Sequence, residues 1–303
     1  MDGFQPAYMT LFDSGGLPAR VRAAMERLRS CDLCGRRCGV DRLAGQVGVC
    51  RIGRRARVAA AFPHHGEEPM IRGSSGSGTL FLAGCSLHCS FCQNWETSHG
   101  DEGADVPAGE IAGHLRRLER LGCHNWNLVT PTHVAPQLLE GLLSFLLSRR
   151  ESRLPIVWNT GGYDTLSTLA LLDGVVDVYM PDLKSLDPGF TAKTLTATDY
   201  PEVATAALDE MVRQVGPATI SSDGVLRRGV LVRHLVMPGR PEDSRRVLEH
   251  LAAEFGRDVA VNVMGQFHPC GQARSHPGLD RPLLREEWDA ARAIATDLDL
   301  RLA

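Results

Sequence analysis

The fold of this chain is decided by residues 84–94, GCSLHCSFCQN, which directly follow a short apolar run at residues 79–83. They place Cys85, Cys89 and Cys92 in a Cys-x3-Cys-x2-Cys pattern. A closed tetrahedral zinc site or a four-iron cluster takes four ligands, so three cysteines leave one metal position for a substrate or cofactor. The triplet therefore predicts a reactive metal centre. A zinc knuckle that takes its fourth ligand from elsewhere is the alternative.

A second cysteine cluster lies upstream of the triplet. It consists of Cys31, Cys34, Cys38 and Cys50, joined by a glycine-rich connection. Four cysteines at this spacing match a closed tetrahedral site, and the glycines let the chain fold around a metal. Thiolates suit zinc and iron alike, so the sequence leaves open a structural zinc or an auxiliary iron–sulfur cluster.

The composition is that of a soluble enzyme. The 303 residues are 43% hydrophobic with a formal net charge of -3, which predicts no basic surface for nucleic acid. Residues 1–20 lack the pattern of a secretory signal, and the longest apolar stretch, 138–147, is too short to span a bilayer. We therefore expect a cytoplasmic protein without a membrane or nucleic-acid partner. Its nine cysteines, seven of them in two clusters, are expected to be metal ligands or catalytic groups rather than a disulfide framework.

Apolar runs alternate with helical patterns downstream of the triplet, which is typical of a parallel sheet built from βα units. The predicted strands are residues 79–83, 125–129, 155–158, 176–180, 230–236 and 258–263. Helices are predicted from residue 107 and at 136–149, 164–172, 201–215, 242–255 and 285–298. The pattern predicts an α/β protein, a partial (β/α)6 TIM-like barrel. Residues 76–303 form its core, and residues 1–75 form an extension whose metal-binding segment is 31–50.

The cysteine triplet after a first strand resembles the radical S-adenosylmethionine (radical SAM) superfamily. The resemblance implies that the triplet holds a [4Fe-4S] cluster whose fourth iron binds the amino and carboxylate groups of SAM. Phe91, before the third cysteine, is the hydrophobic residue that the family places near the adenine. In the family, the reduced cluster cleaves SAM to methionine and a 5'-deoxyadenosyl radical, which abstracts hydrogen from a substrate, while the protein positions the cofactor.

Polar residues end several predicted strands, where α/β barrels carry their functional groups. Many superfamily members have a Gly-Gly-Glu motif after the second strand, where this chain has Thr130, Pro131, Thr132 and His133. The resemblance implies that Thr130, Thr132 and His133, or the backbone there, contact the methionine part of SAM. The alternative for His133 is a cap on the following helix.

The next two strand ends are similar to those of the glycyl radical enzyme activases, a radical SAM subgroup. By this similarity Asn159, Thr160, Met180 and Asp182 border a monovalent cation, and Lys184 faces SAM or substrate. Oxygen ligands suit a hard cation. A surface ion pair between Asp182 and Lys184 is the alternative.

Arg233 interrupts the apolar run 230–236, and a buried guanidinium requires an anionic partner. The similarity to activases assigns it the SAM carboxylate; an internal salt bridge to a Glu or Asp is the alternative. His268 resembles an activase histidine near the adenosine. Residues 64–69, HHGEEP, either line the substrate entrance or form a solvated loop.

Over nearly its whole length the chain resembles pyruvate formate-lyase activating enzyme-like radical SAM proteins. The leading hypothesis is therefore an oxidoreductase that takes electrons from flavodoxin or ferredoxin and removes hydrogen from a glycine of a partner enzyme. A second hypothesis replaces the partner enzyme with a small metabolite or peptide. A third is a non-enzymatic iron–sulfur or zinc-binding module, which has no need of an open coordination site.

Overall fold

The computed structural model describes residues 4–303, and all statements below refer to that part of the chain. The strands are β1 Ala56–His64, β2 Ser77–Leu82, β3 Ala104–Val106, β4 Trp126–Val129, β5 Ile156–Thr160, β6 Val178–Pro181, β7 Thr219–Ile220, β8 Leu226–Leu235, β9 Ala260–Met264 and β10 Arg301–Leu302. The α-helices are α1 Ala7–Asp13, α2 Leu17–Glu26, α3 Pro69–Arg72, α4 Trp95–His99, α5 Ala108–Arg120, α6 Ala135–Arg149, α7 Leu166–Leu172, α8 Pro188–Thr194, α9 Tyr200–Val215, α10 Pro241–Glu254 and α11 Arg285–Asp297.

Six parallel strands form the centre of the sheet, in the order β9-β8-β6-β5-β4-β2. All six overlap the strands predicted from the sequence, and the helices α5, α6, α7, α9, α10 and α11 overlap the predicted helices. The sheet ends at β10 on one side and at β3 on the other, so it does not close. The prediction of a partial TIM-like barrel is confirmed.

The strands β1 and β3 were not predicted. Both are antiparallel: β1 pairs with β2, and β3 pairs with β1. β1 escaped prediction because its burial does not alternate; most of its residues are half-buried, and alanines fill its centre. The sheet therefore runs across the domain boundary expected after residue 75, and β1 belongs to the barrel.

The helices cover the outside of the sheet. In α5 the predicted stripe of Ile111, Leu115 and Leu118 is buried, as its spacing requires. α6 comes so close to α5 that a Cβ on Gly141 would lie 2.4 Å from Ile111. No helix within residues 4–303 is long and apolar enough to cross a membrane.

A small apolar cluster fills the barrel below the strand ends. Ile71, from the short helix α3, is fully buried there among residues of the parallel strands, including Val157, Met180 and Leu231. The Asn125 side-chain amide donates to the Ile71 carbonyl at 2.7 Å and holds α3 in place. α3 therefore closes the interior of the barrel at the end opposite the cysteine loop.

We expect Ile71→Ala to lower the free energy of unfolding by about 2–5 kcal/mol, because it leaves a cavity in a packed interior. Leu147→Ala is the control, since Leu147 is 66% exposed and its truncation should change stability by less than about 0.5 kcal/mol. Anaerobic urea unfolding measures both values. Equal, small losses would contradict the role of α3 as a closure.

Candidate active site

A cleft of about 970 Å³ opens at the carboxyl ends of the parallel strands. Its size is within the range of small-molecule sites. All three cysteines of the triplet line it, together with Phe91. The cleft lies where α/β barrels place their functional groups.

The loop that carries the triplet is held by distant parts of the chain. Its Ser90 N–H donates to the Thr194 carbonyl at 2.8 Å, at the end of α8, and the Ser90 carbonyl accepts from Gln272 N–H at 2.7 Å. Gly84 starts the loop at φ +77°, and a Cβ there would lie 2.6 Å from the Cys50 carbonyl. Only glycine fits this position without strain.

The three thiols suit an iron–sulfur cluster. Burial raises the pKa of both Cys89 and Cys85, so a bound cation is needed to stabilise their thiolates. No three Cys, His, Asp or Glu side chains in residues 4–303 converge on a single metal ion, and a cubane cluster requires no such convergence because each cysteine binds a different iron. Ser98 Oγ donates to Cys92 Sγ at 3.2 Å, and such contacts tune cluster potentials.

Arg36, inside the upstream cysteine segment, clamps the triplet loop. Its guanidinium donates to the carbonyls of Ser86 at 2.7 Å and Leu87 at 3.0 Å, both between the first two cysteines. It also donates to the carbonyls of Leu195 at 2.7 Å and Thr196 at 2.5 Å, after α8. One planar guanidinium thus joins three segments of the chain.

The four upstream cysteines form one group beside this clamp. The pKa of Cys34 is raised to about 12, mainly by burial and to a smaller extent by charge repulsion from the other three cysteines, which lie nearby. Zinc or an auxiliary cluster stays a prediction.

Arg42 is fully buried beside this group. Its guanidinium donates to the Gly53 carbonyl at 2.9 Å, to the His133 carbonyl at 2.7 Å and to Cys31 Sγ at 3.6 Å. Among the described residues it has no carboxylate partner. Burial raises the pKa of the Cys50 thiol, and the charge of Arg42 opposes that rise.

Phe91 lies in an aromatic wall of the cleft. It is 4% exposed, and its ring centroid lies 6.5 Å from that of Phe190 and 6.3 Å from that of Phe267. The Arg240 guanidinium carbon covers Phe190 at 4.1 Å from the ring centroid. This wall offers a flat apolar surface next to the third cysteine, consistent with the predicted adenine contact.

Among residues 130–133, which directly follow β4, only Thr130 lines the cleft. Its φ is +58°, a left-handed conformation that is rare for a β-branched residue and that costs about 1–3 kcal/mol. Such strain concentrates at functional sites. Thr130 therefore lies in the cleft, and its contact with SAM stays a prediction.

The predicted SAM contacts through Thr132 and His133 are corrected by the structure, because both side chains have other partners and neither lines the cleft. Thr132 Oγ1 donates to the buried Asp164 at 2.8 Å. His133 is buried, and its Nε2 bonds the Ala83 carbonyl at 3.0 Å, just before the cysteine loop. Burial lowers the pKa of His133 to about 4, so the ring is neutral and acts as a strut.

The predicted cation ligands are brought together only in part. Asn159, Thr160 and Asp182 line the cleft, whereas Met180 is fully buried in the apolar cluster below it. Thr160 Oγ1 is already engaged, since it donates to Asp164 at 2.5 Å. The monovalent cation stays a prediction that now depends on Asn159 and Asp182.

Asp182 and Lys184 form an ion pair in the cleft wall rather than at the open surface, with side chains 22% and 15% exposed. Burial alone would lower the pKa of Lys184, but Asp182 raises it above its usual range. Cys89 acts on the same ammonium in the same direction. Lys184 is therefore a fixed positive charge that faces the triplet.

Arg233 has the internal ion pair that the sequence left open as an alternative. Its Nε donates to Glu68 Oε1 at 2.8 Å, its Nη2 donates to Glu68 Oε2 at 2.6 Å, and Nη2 also meets Glu67. Only Nη1, which is 3.4 Å from Asn159 Oδ1, remains for the predicted SAM carboxylate. Burial alone would raise the pKa of Glu68, but Arg233 and Asn262 lower it, so Glu68 is ionised.

Residues 64–69 are solvated only in part, since His65, Gly66 and Pro69 are exposed. Glu67 and Glu68 have side chains 8% and 6% exposed and contribute to the floor of the cleft. His268, by contrast, is exposed, does not line the cleft, and has its Nδ1 3.4 Å from Gln93 Nε2. The contact of His268 with adenosine stays a prediction, and it would have to be made at the rim of the cleft.

Sequence reasoning missed Arg36, Arg42, Asn127 and Asn262. The two asparagines interrupt apolar strand runs as Arg233 does, so the same signal could have found them. The two arginines lie among the upstream cysteines, where no local pattern distinguishes a clamp from a surface residue. Their roles depend on contacts with distant segments.

The fold and the site define a class of protein: an open (β/α)6 barrel with a three-cysteine loop at the cleft. The radical SAM superfamily profile matches residues 79–252, more than half of the chain, and the chain belongs to that superfamily. A relative from Methanocaldococcus jannaschii, the uncharacterized protein MJ0674, is 29% identical over 296 residues, which cover 94% of this chain and 80% of the relative.

One solved structure supports the fold. Methylornithine synthase (PylB) matches with a TM-score of 0.50 and 15% identity, over 95% of this chain and 70% of PylB. SuiB from Streptococcus suis bound to S-adenosylmethionine matches with a TM-score of 0.48 and 12% identity, over 73% of this chain. The chain spans 48% of the length of SuiB.

We expect Arg36→Ala to open the triplet loop, because it removes charge-assisted hydrogen bonds worth roughly 1.5–3 kcal/mol. Amide hydrogen exchange at residues 84–94 should then rise about 10- to 100-fold, and less iron should be retained after anaerobic gel filtration. Arg37→Ala, a change at the exposed next residue, is the matched control. Unchanged exchange in the Arg36 variant would refute the clamp.

Proposed function

We propose that this protein cleaves SAM reductively and uses the resulting 5'-deoxyadenosyl radical to remove hydrogen from a substrate in the cleft. The observation that carries the proposal is the cysteine triplet on one anchored loop at the mouth of the cleft. Superfamily membership supports a [4Fe-4S] cluster and SAM as the cofactors. When bound there, they supply the radical.

The residues of the chain bind and position these cofactors. Cys85, Cys89 and Cys92 hold the cluster, and Arg36 fixes their loop. Phe91 offers the adenine a flat apolar face, and Lys184 provides a positive charge near Cys89 for an anionic group of SAM. Cys89 is buried, whereas Cys85 and Cys92 are partly exposed towards the cleft.

The geometry favours a small molecule or a peptide end as the hydrogen donor. Such substrates need a concave site with a few convergent polar groups, and Arg233, Glu67, Glu68 and Asn262 supply them. Activation of a glycyl radical enzyme is the competing proposal, supported by the activase-like residue types at Asn159 and Asp182. An electron donor such as flavodoxin or ferredoxin serves either reaction.

We expect Cys89→Ala to reduce 5'-deoxyadenosine formation to background, because the cluster loses one of three ligands. The assay is anaerobic reconstitution, then incubation with SAM and dithionite and chromatography of the products. Cys123→Ala is the control, since Cys123 is buried but does not line the cleft. Full activity of the Cys89 variant, or none in the wild type, would refute the proposal.

Electron paramagnetic resonance distinguishes the two candidate hydrogen donors, a small molecule and a glycine of a partner enzyme. Activation of a partner predicts a glycyl radical on a co-purifying protein after incubation with SAM and reductant. A small-molecule substrate predicts no such signal, but faster 5'-deoxyadenosine formation with a low-molecular-weight extract. Iron and zinc assays on the same sample identify the metal of the upstream cysteines. Eight irons per chain indicate an auxiliary cluster there, whereas four irons with one zinc indicate a zinc site.

A further inference from the structure

The floor of the cleft carries an ion cluster with two carboxylates and one guanidinium. Glu68 faces Arg233 through two parallel hydrogen bonds, at 2.8 and 2.6 Å, which neutralises the guanidinium. Glu67 meets the same Nη2 atom and is therefore a second carboxylate on one cation. Its side chain is only 8% exposed. One guanidinium therefore faces two carboxylates, and the negative charge of Glu67 is only partly balanced.

The other groups around Glu67 do not complete that balance. Asn127 Nδ2 donates to Glu67 Oε1 at 3.1 Å, and an amide is neutral. His64 Nδ1 lies 3.5 Å from the same oxygen, but the ring is 42% exposed and bears a charge only when protonated. Asn127 is fully buried, and its Oδ1 has no hydrogen-bond partner among the described residues. The cluster therefore has an unused acceptor as well as a partly balanced charge.

The rest of the cleft wall does not compensate for this charge. Its other ionised side chains are Asp182 and Lys184, which pair with each other. The charged side chains that line the cleft are then three carboxylates and two cations, a net charge of -1. Two buried carboxylates that share one guanidinium are only partly neutralised. A cation from outside the chain would complete the charge balance at Glu67.

SAM is the competing source of that cation, since Arg233, which contacts Glu67, also has Nη1 left for the SAM carboxylate. The position of the other Glu67 partner favours a separate ligand. That partner, Asn127, is in register with Thr79 on β2, three residues before the strand ends at Leu82. At about 3.3 Å per residue, this level lies roughly 10 Å inside the barrel from the strand end. The cysteine loop, where the charged end of SAM belongs, follows the strand end.

We infer that the substrate of this enzyme carries an ammonium or guanidinium group, which binds Glu67 at the floor of the cleft, while the buried Asn127 behind it holds the Glu67 carboxylate in place. The inference rests on the proposed function and narrows its substrate class to amines, amino acids and guanidino compounds. The cation lies inside the barrel, and the carbon that loses hydrogen lies nearer the cysteine loop. The excess carboxylate then acts as the recognition group.

The test compares two small probes that differ in charge, methylguanidinium and its neutral near-isostere N-methylurea. Binding to the reconstituted holoenzyme, without reductant, is measured by calorimetry or by ligand-observed NMR. The wild type should prefer methylguanidinium at least tenfold. Glu67→Gln should remove that preference. Glu140→Gln should keep it, since Glu140 is paired with Arg54 away from the cleft.

Three results would overturn the inference: equal binding of the two probes to the wild type, a preference that survives Glu67→Gln, or displacement of methylguanidinium by saturating SAM. The last would assign Glu67 to SAM itself. Should Glu67→Gln fail to fold, the comparison in the wild type alone decides. Formation of 5'-deoxyadenosine by the wild type reports the proposed function separately, so either can fail while the other holds.

Discussion

The cysteine loop depends on hydrogen bonds that it cannot make to itself. Its backbone is irregular, and its carbonyls and amides are paired with Arg36, with the end of α8 and with Gln272. Such groups must be satisfied when buried. The position of the triplet is therefore a tertiary property. The segment with the upstream cysteines is part of the active site because it supplies the clamp.

Charge balance around the sulfurs follows from the same arrangement. Arg42, fully buried, has carbonyls and Cys31 as partners, and Lys184 stands near Cys89 beside Asp182. Metal-bound thiolate centres carry negative charge, which buried cations offset. The chain thus places one fixed cation beside each cysteine group. Two thiolate centres, rather than two sets of free thiols, are the state that these cations stabilise.

The sequence was sufficient for the six parallel strands and the triplet, because hydrophobic periodicity and local spacing determine both. It was insufficient wherever partners lie far apart in the chain. Arg233 pairs with Glu68, which is 165 residues away in the sequence, and no local pattern predicts such a contact. Thr132 and His133 were assigned to SAM by their position after β4. Their actual partners, Asp164 and Ala83, depend on which way each side chain turns.

Residues 64–73 connect the closure of the barrel with the chemistry of its floor. Ile71 fills the interior below, and Glu67 and Glu68, a few residues earlier, meet Arg233 above it. The floor lies roughly 10 Å beneath the strand ends, a distance that about three extended residues would span. A small cation can reach this depth by diffusion, and the proposed ligand would then join the Glu67 carboxylate at the floor to the hydrogen-abstraction site nearer the cysteine loop.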